Sequence, residues 1–340
     1  MKIAVDAMGG DHAPREIVRG AVESARSNGL SLILVGQEER IRAELRQIDV
    51  SGAAIEVQHA SEVVEMSEVP AIALRKKRDS SIRVGLRLVA DGKASSFVSA
   101  GNSGAVMGGG FLILKKINGV DRPAIAATIP TPHGPVVLVD AGANVESKPA
   151  HLLQFGYMGE AYSRMILGIP RPRVGVVSIG EEDSKGTDLT RDTCGLFRRT
   201  GLNFVGNVEG RDFFAGKADV FVCDGFVGNV AIKTMEGMAT ALGQFLKEEI
   251  GKSLMAKVGA LLAERALRGV KDRLDYEEYG GAPLLGVRGG VFICHGSSSE
   301  RAIKNGIRAA GSLARYGVDV EIARSIAARG HAAAGAPAIP

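Results

Sequence analysis

The stretch Ser95-Ser96-Phe97-Val98-Ser99-Ala100-Gly101-Asn102-Ser103-Gly104 decides the reading of this chain, because an apolar run ends there in a loop of small polar residues. The same change recurs at 136–144 (VVLVDAGAN), 174–186 (VGVVSIGEEDSKG), 220–229 (VFVCDGFVGN) and 291–299 (VFICHGSSS). Five such junctions predict strands whose carboxyl ends converge on one crevice, where small residues let the backbone approach a bound anion. Strand-like runs lie at 2–6, 31–35, 54–58, 96–99, 135–140, 173–179, 203–206, 218–223 and 290–293, most of them separated by helical patterns. Pro14, Pro70 and Pro149 stand where first helical turns would begin. The alternation predicts an α/β fold, a largely parallel sheet with helices on both faces.

A chain of 340 residues can bury a large core as one extended unit or two lobes. Gly is abundant at 45 residues and Trp is absent, which suits backbone-exposing turns better than base-stacking surfaces. The net charge is +4, but cations and acids are interspersed, so nucleic acid is not an expected partner. Cys194, Cys223 and Cys294 have no metal-ligand or disulfide spacing and read as small core residues in a reducing compartment. The amino terminus reaches Asp6 too soon for a secretory segment, and no apolar run approaches a bilayer span. A cytoplasmic protein is expected, with surface attachment to a membrane left open.

Residues 228–272 differ from the rest. Met235, Met238, Leu242, Phe245 and Leu246 form one helical stripe, and Leu254, Met255, Val258, Leu261 and Leu262 a second, accompanied by Lys252, Lys257, Arg265 and Arg268. The pattern is too long for a crossover helix and predicts a projecting helical hairpin. Its first stripe suits burial in the core or a dimer interface, and its second suits a membrane surface as well as it suits burial. The tail from Gly330 to Pro340 is expected to be disordered.

Gly101, Asn102, Ser103 and Gly104 lie between a strand and a helical pattern, an arrangement that offers backbone N–H groups and a hydroxyl to phosphate. A tight turn with a helix cap could use the same residues. Gly142, Asn144, Ser297 and Ser298 add similar donors, with Ser299 opening a helix over 299–316. Lys185 follows a strand and could stabilise an oxyanion, or pair with Glu181 or Asp183 as an ordinary loop lysine. Asn229 could donate from its amide or cap a helix. His12 and His295 are candidate anion donors, while Asp6, Asp140 and Asp224 suit a metal no better than backbone caps. Gly251-Lys252-Ser253 lacks the earlier glycine of a nucleotide loop, which is Leu246, and neither GxGxxG nor GxSxG occurs.

The segments DAMGGDHAP (6–14), HASEVVEMSEVP (59–70), ALRKKRDSSIRVGL (73–86), SAGNSGAVM (99–107), DRPAIA (121–126), DAGANVESKPAHLLQF (140–155), GEEDSKG (180–186), NFVGNVEGRD (203–212), CDGFVGN (223–229), EYGGAPLLGV (278–287) and HGSSS (295–299) together resemble the PlsX phosphate acyltransferase family, nearly end to end. The resemblance implies a Rossmann-like, doubly wound α/β/α sandwich, akin to phosphotransacetylases and isopropylmalate dehydrogenases, with one acyltransferase domain over 1–329. It implies transfer of a long-chain acyl group from acyl carrier protein to inorganic phosphate, for phospholipid synthesis, by a homodimer needing no cofactor or metal. It places the catalytic roles on Lys185 and Asn229 and the phosphate loop on Gly101–Gly104, with Ser103 where threonine is often found. It further implies peripheral attachment to the inner face of the membrane through Leu254, Val258, Leu261 and Leu262 with Lys252 and Lys257, beside a glycerol-phosphate acyltransferase that takes the product. A phosphotransacetylase using acyl-CoA and a scaffold that merely binds anionic metabolites are the rival expectations.

Overall fold

The computed structural model describes residues 1–274 and 278–334. From the amino terminus come β1 (Lys2–Asp6), α1 (Arg15–Asn28), β2 (Ser31–Gly36), α2 (Glu38–Leu45) and β3 (Ala54–His59). Next are α3 (Pro70–Lys76), α4 (Ser81–Ala90), β4 (Ser96–Ser99) and α5 (Ser103–Gly109), which runs on as a π-turn over Gly110–Leu114. The middle of the chain supplies β5 (Ala124–Ile129), β6 (Val136–Val139), α6 (Pro149–Ile166), β7 (Arg173–Val177), α7 (Asp188–Phe197), β8 (Asn203–Val208) and β9 (Val220–Val222). Then follow α8 (Gly225–Gly251), α9 (Leu254–Leu262), α10 (Glu264–Leu274), β10 (Ala282–Leu285), β11 (Gly290–Ile293), α11 (Glu300–Tyr316) and α12 (Val318–Ala334).

All the strands join one 11-stranded sheet in the order β3-β2-β1-β4-β11-β10-β5-β6-β9-β7-β8. The run from β3 to β11 is parallel, as is the run from β6 to β8, but β10 and β5 pair antiparallel between them. The two parallel halves therefore point in opposite directions, so the sheet is mixed at its centre where the alternation predicted a largely parallel one. Register brings some of those ends together nonetheless. Ile293 at the end of β11 faces Ala282, and extending the β10–β5 ladder from Leu284↔Ile125 sets Ala282 level with Ala127, which faces Leu138 of β6. The halves are sheared along the strands, so β11 and β6 end almost at the same height from opposite directions.

Helices cover both faces of the first half and one face of the second, whose other face meets the base of α8 and a short turn at Phe213. The stripe Ile17, Val18, Ala21, Val22 and Ala25 buries α1, and the left-handed Gly29 at φ 62° ends the helix. Its partner is α11, with Ile303, Ile307 and Ala310 in the same core. A Cβ on Gly20 would stand 2.5 Å from the Glu300 carbonyl, so any larger residue would separate the two helices. Each fully buried Ile contributes about 1.5–3 kcal/mol. The opposite face carries α3, α4 and α5 around Phe97, Ile82 and Leu86. The second half packs α6, α7 and α12 around Phe155 and Phe197.

The helical arm differs in kind. Of the 27 residues of α8 only Gly225 and Gly228 are buried, and none of α9 is. Met235 still packs at the base, but Leu242, Phe245 and Leu246 are exposed, so the first stripe is not core of this chain. Leu254 and Leu262 are 79% and 84% exposed. At the carboxyl end α12 runs to Ala334, and 335–340, the rest of the tail expected to be disordered, lie outside the described residues.

Candidate active site

A cavity of about 490 Å³ opens where the two sheet halves meet. Ser103, His295 and Ser298 reach it from loops after β4 and β11, Gly142 from the loop after β6, and Asn229 from the first turns of α8 after β9. Met66, Met107, Ile129, Ile232 and Met235 make much of its wall apolar. Four of the five loops picked out in the sequence therefore meet. The fifth, bearing Lys185, does not line the cavity, although β7 lies beside β9 and its loop leaves the same edge.

The loop of residues 101–104 is held by buried polar groups. The carboxylate of Asp6 accepts from the Ser99 hydroxyl at 2.7 Å and from the Met8 amide at 3.1 Å, and Ser99 Oγ in turn accepts from the Gly101 amide at 3.0 Å. Gly101 thus turns its N–H inward. The side chain of Asn102 accepts from Ala105 N at 3.0 Å as the cap of α5, and donates to the carbonyls of Met66 at 3.1 Å and Glu68 at 3.0 Å. Gly101 N–H and the Asn102 side chain are thus engaged within the protein and shape the loop. Ser103, exposed in the cavity, and the amides of Ser103 and Gly104 in the unpaired first turn keep their donors available.

Across the cavity, Asp140 is wholly buried. Its Oδ1 accepts from the amides of Ile125, Gly142 and Ala143 at 3.0–3.1 Å, and its Oδ2 from Asn144 N at 2.7 Å and Asn144 Nδ2 at 2.8 Å. Burial pushes this carboxyl up from its ordinary value while the ring of donors opposes the rise. Asn144 also donates to the Pro123 carbonyl at 2.7 Å, so its side-chain amide is engaged within the protein. Gly228 has to be Gly, since a Cβ there would lie 1.9 Å from the Asp140 carbonyl.

Asp224 Oδ1 caps α8 by accepting from Phe226 N at 2.9 Å and Val227 N at 3.0 Å, which leaves Asn229 no capping work. Asn229 is exposed beside Gly142, where an added Cβ would sit 3.4 Å from Asn229 Oδ1. Lys185 is exposed too. Glu181 pairs with Lys217 at 3.1 Å and Asp183 with Arg198, so the acids expected to tie Lys185 are engaged elsewhere. His295 Nδ1 accepts from Ser297 N at 3.3 Å and lies 2.8 Å from Ser297 Oγ; Ser298 is buried at the cavity edge, its amide donating to the His295 carbonyl. His12 is exposed and does not line the cavity. Sequence reading missed Lys233, a cavity-wall cation paired with Glu236 at 2.7 Å; its spacing of four from Asn229 on one helix was the available signal. Burial pushes the Cys294 thiol up to about 12, so this cavity-lining sulfur stays protonated at neutral pH. Among the described residues no cluster of His, Cys, Asp and Glu could hold a metal ion, and no helix is long and apolar enough to cross a membrane.

Residues 1–321 match the family model described as fatty acid synthesis protein. A protein of Pelotomaculum thermopropionicum named phosphate acyltransferase is 56% identical over 310 residues, covering 91% of this chain and 90% of the relative. One of the same name from Citrifermentans bemidjiense is 52% identical over 96% of this chain and 93% of its own. Among solved structures, a phosphotransacetylase from Streptococcus pyogenes matches with a TM-score of 0.59 at 18% identity, covering 96% of this chain and 94% of that one. A putative 4-hydroxythreonine-4-phosphate dehydrogenase from Salmonella typhimurium matches with a TM-score of 0.53 at 12% identity, covering 92% and 99%. Those two show a shared Rossmann-like fold. The relatives at half identity over nearly the whole length, and the family model, show more: this chain belongs to the PlsX family of phosphate acyltransferases.

Proposed function

We propose that the protein transfers a long-chain acyl group from acyl carrier protein to inorganic phosphate, releasing acyl phosphate for phospholipid synthesis. The observation that carries this reading is a single cavity joining an extended apolar wall to the donors of Ser103, Asn229 and His295. The wall suits an alkyl chain, and the donors suit an anion and a developing oxyanion.

Phosphate near neutral pH is already nucleophilic, so no base is needed to create the attacking oxygen. The first-turn amides of α5 with Ser103 Oγ hold it. One phosphate oxygen forms a bond to the thioester carbonyl carbon, the carbonyl electrons move onto oxygen, and Asn229 and Lys185 donate to that oxyanion. Collapse breaks the carbon–sulfur bond and carrier-protein thiolate leaves. Lys185 stands outside the cavity wall, and this scheme requires its loop to turn inward once substrate is bound. The protein works as a cytoplasmic homodimer through α8, with α9 resting on the inner membrane surface beside the glycerol-phosphate acyltransferase that takes the product.

Incubation with palmitoyl carrier protein and phosphate, followed by mass spectrometry, tests the reading. Palmitoyl phosphate is expected, formed faster than from palmitoyl-CoA. Preference for the CoA donor would make the protein a phosphotransacetylase, and no thiol release from either would leave a binding protein.

A further inference from the structure

The helical layer beside the cavity mouth carries a concentration of charge that the chemistry above does not use. Between Arg75 and Arg87 the chain has six cations, Arg75, Lys76, Lys77, Arg78, Arg83 and Arg87, against one acid, Asp79. Lys77 pairs with Glu68 at 2.6 Å. Among the described residues none of the other five has a carboxylate within ion-pair distance. Asp79 lies near Arg87, but its Oδ2 accepts from Ser61 N at 2.8 Å and Ser61 Oγ at 2.7 Å. Arg83 bonds the Leu74 carbonyl through Nη1, while its Nε is buried without a partner. Burial together with the charges of Arg87 and Arg78 holds the Arg83 guanidinium below its ordinary value, as expected of like charges crowded without a counter-ion.

We propose that this face, formed by α3, α4 and the residues between them, docks an acidic helical protein, which on the reading above is the carrier that brings the thioester. Val69, at the cap of α3, and Ile72, on the same short helix as Arg75 and Lys76, are 59% and 46% exposed, giving an apolar strip with a basic rim. The placement connects directly to the site. Asn102 ties the carbonyls of Glu65, Met66 and Glu68, just ahead of α3, to the loop that bears Ser103, and Met66 itself lines the cavity. Pro70 abuts Gly104. Seven residues of helix rise only about 10 Å, so a partner on α3 would hold its flexible arm within reach of the mouth. A bilayer fits this face less well, because its apolar groups are half-covered where Leu254 and Leu262 on α9 stand 79% and 84% exposed.

The test is the double charge reversal Arg78→Glu/Arg87→Glu in the full-length protein, with Arg78→Gln/Arg87→Gln as the milder pair. Arg83 is left in place because it bonds backbone. The KM for palmitoyl carrier protein is expected to rise roughly tenfold or more, the glutamine pair falling between, while kcat at saturating donor and the KM for phosphate stay as in the parent. Fluorescence anisotropy of labelled carrier protein should show the same order of affinities, and the differences should shrink at high salt. An unchanged carrier-protein KM would overturn the assignment. So would lost flotation with phosphatidylglycerol vesicles at unchanged KM, which would give the face to the membrane, or a fall in kcat and unfolding midpoint together, which would make the cations structural. A parent that forms no acyl phosphate but still binds carrier protein at this face would remove the functional reading and keep the docking site.

Discussion

The loops at 99–104 and 139–144 look alike in sequence, each a strand followed by Gly and Asn, yet they direct their amides in opposite senses. In the second, the buried carboxylate of Asp140 gathers the N–H groups of Gly142, Ala143 and Asn144. In the first, the buried carboxylate is Asp6, from another strand, and it reaches Gly101 only through Ser99, which leaves the first-turn amides of Ser103 and Gly104 outside its ring of donors. A glycine- and asparagine-rich turn is thus a candidate anion site only when its own chain does not supply the anion. The loop bearing Lys185 is a third variant, with no buried carboxylate and a side chain lying free.

The sharpest way to strain this comparison is at that third loop. Replacing Lys185 by Met should lower kcat by about 10²–10³ while leaving the unfolding curve of the parent. A folded variant with normal turnover would show that a free lysine outside the cavity stays outside during the reaction. Asn229→Ala should give a similar loss, and because Asp224 already caps α8 it should not unfold the helix.

Next in size is Asp140→Asn. An amide group would present N–H to donors that now meet a carboxylate, and leaving them unsatisfied should cost about 3 kcal/mol of stability. Urea unfolding measures it. An unchanged midpoint would mean that the 139–144 loop holds its shape without the carboxylate, and the distinction between the two loops would fall. Smaller still is Ser103→Asp, which places a carboxylate where the proposal puts phosphate. A roughly tenfold rise in phosphate KM is expected, or about 1.4 kcal/mol, with stability little altered. Saturation by phosphate as in the parent would return the first loop to a plain helix cap.

The sequence made the parallel halves legible because their strands are Val- and Ile-rich and end in abrupt loops. It concealed the centre. Ala124–Ile129 is half Ala, and Ala282–Leu285 contains Pro283, so neither has the composition of a strand; both are strands because neighbours on each side complete their ladders. With those two hidden, the reversal of direction between the halves was hidden as well, and a largely parallel sheet was the natural inference. The site residues were legible as a set of loops, but which amides face in and which face out depends on Asp6 and Asp140, whose partners lie up to 93 residues apart in sequence. Lys233 escaped because its spacing of four from Asn229 places it at the cavity only once the start of α8 is known to line that cavity.

The smallest expected effect on chemistry concerns the arm, where exposure contrasts most strongly with the buried loops. Leu254, Val258, Leu261 and Leu262 lie at spacings of three and four along α9, and no residue of α9 is buried. Lys252 pairs with Glu249 and Arg268 with Glu264 as exposed intrahelical pairs, which contribute little and leave Lys257 the cation best able to meet headgroups. Attachment to a bilayer should therefore depend more on the leucines than on charge. The double variant Leu254→Glu/Leu261→Glu is expected to lose flotation with anionic vesicles while keeping the parent's turnover of soluble carrier-protein donor, because the tip lies more than twenty residues along the arm from Asn229. Equal flotation of parent and variant would take the tip off the membrane. Turnover lost together with dissociation of the dimer would assign these leucines to the contact between two copies, and the arm would then belong with the buried regions of the molecule instead of opposing them.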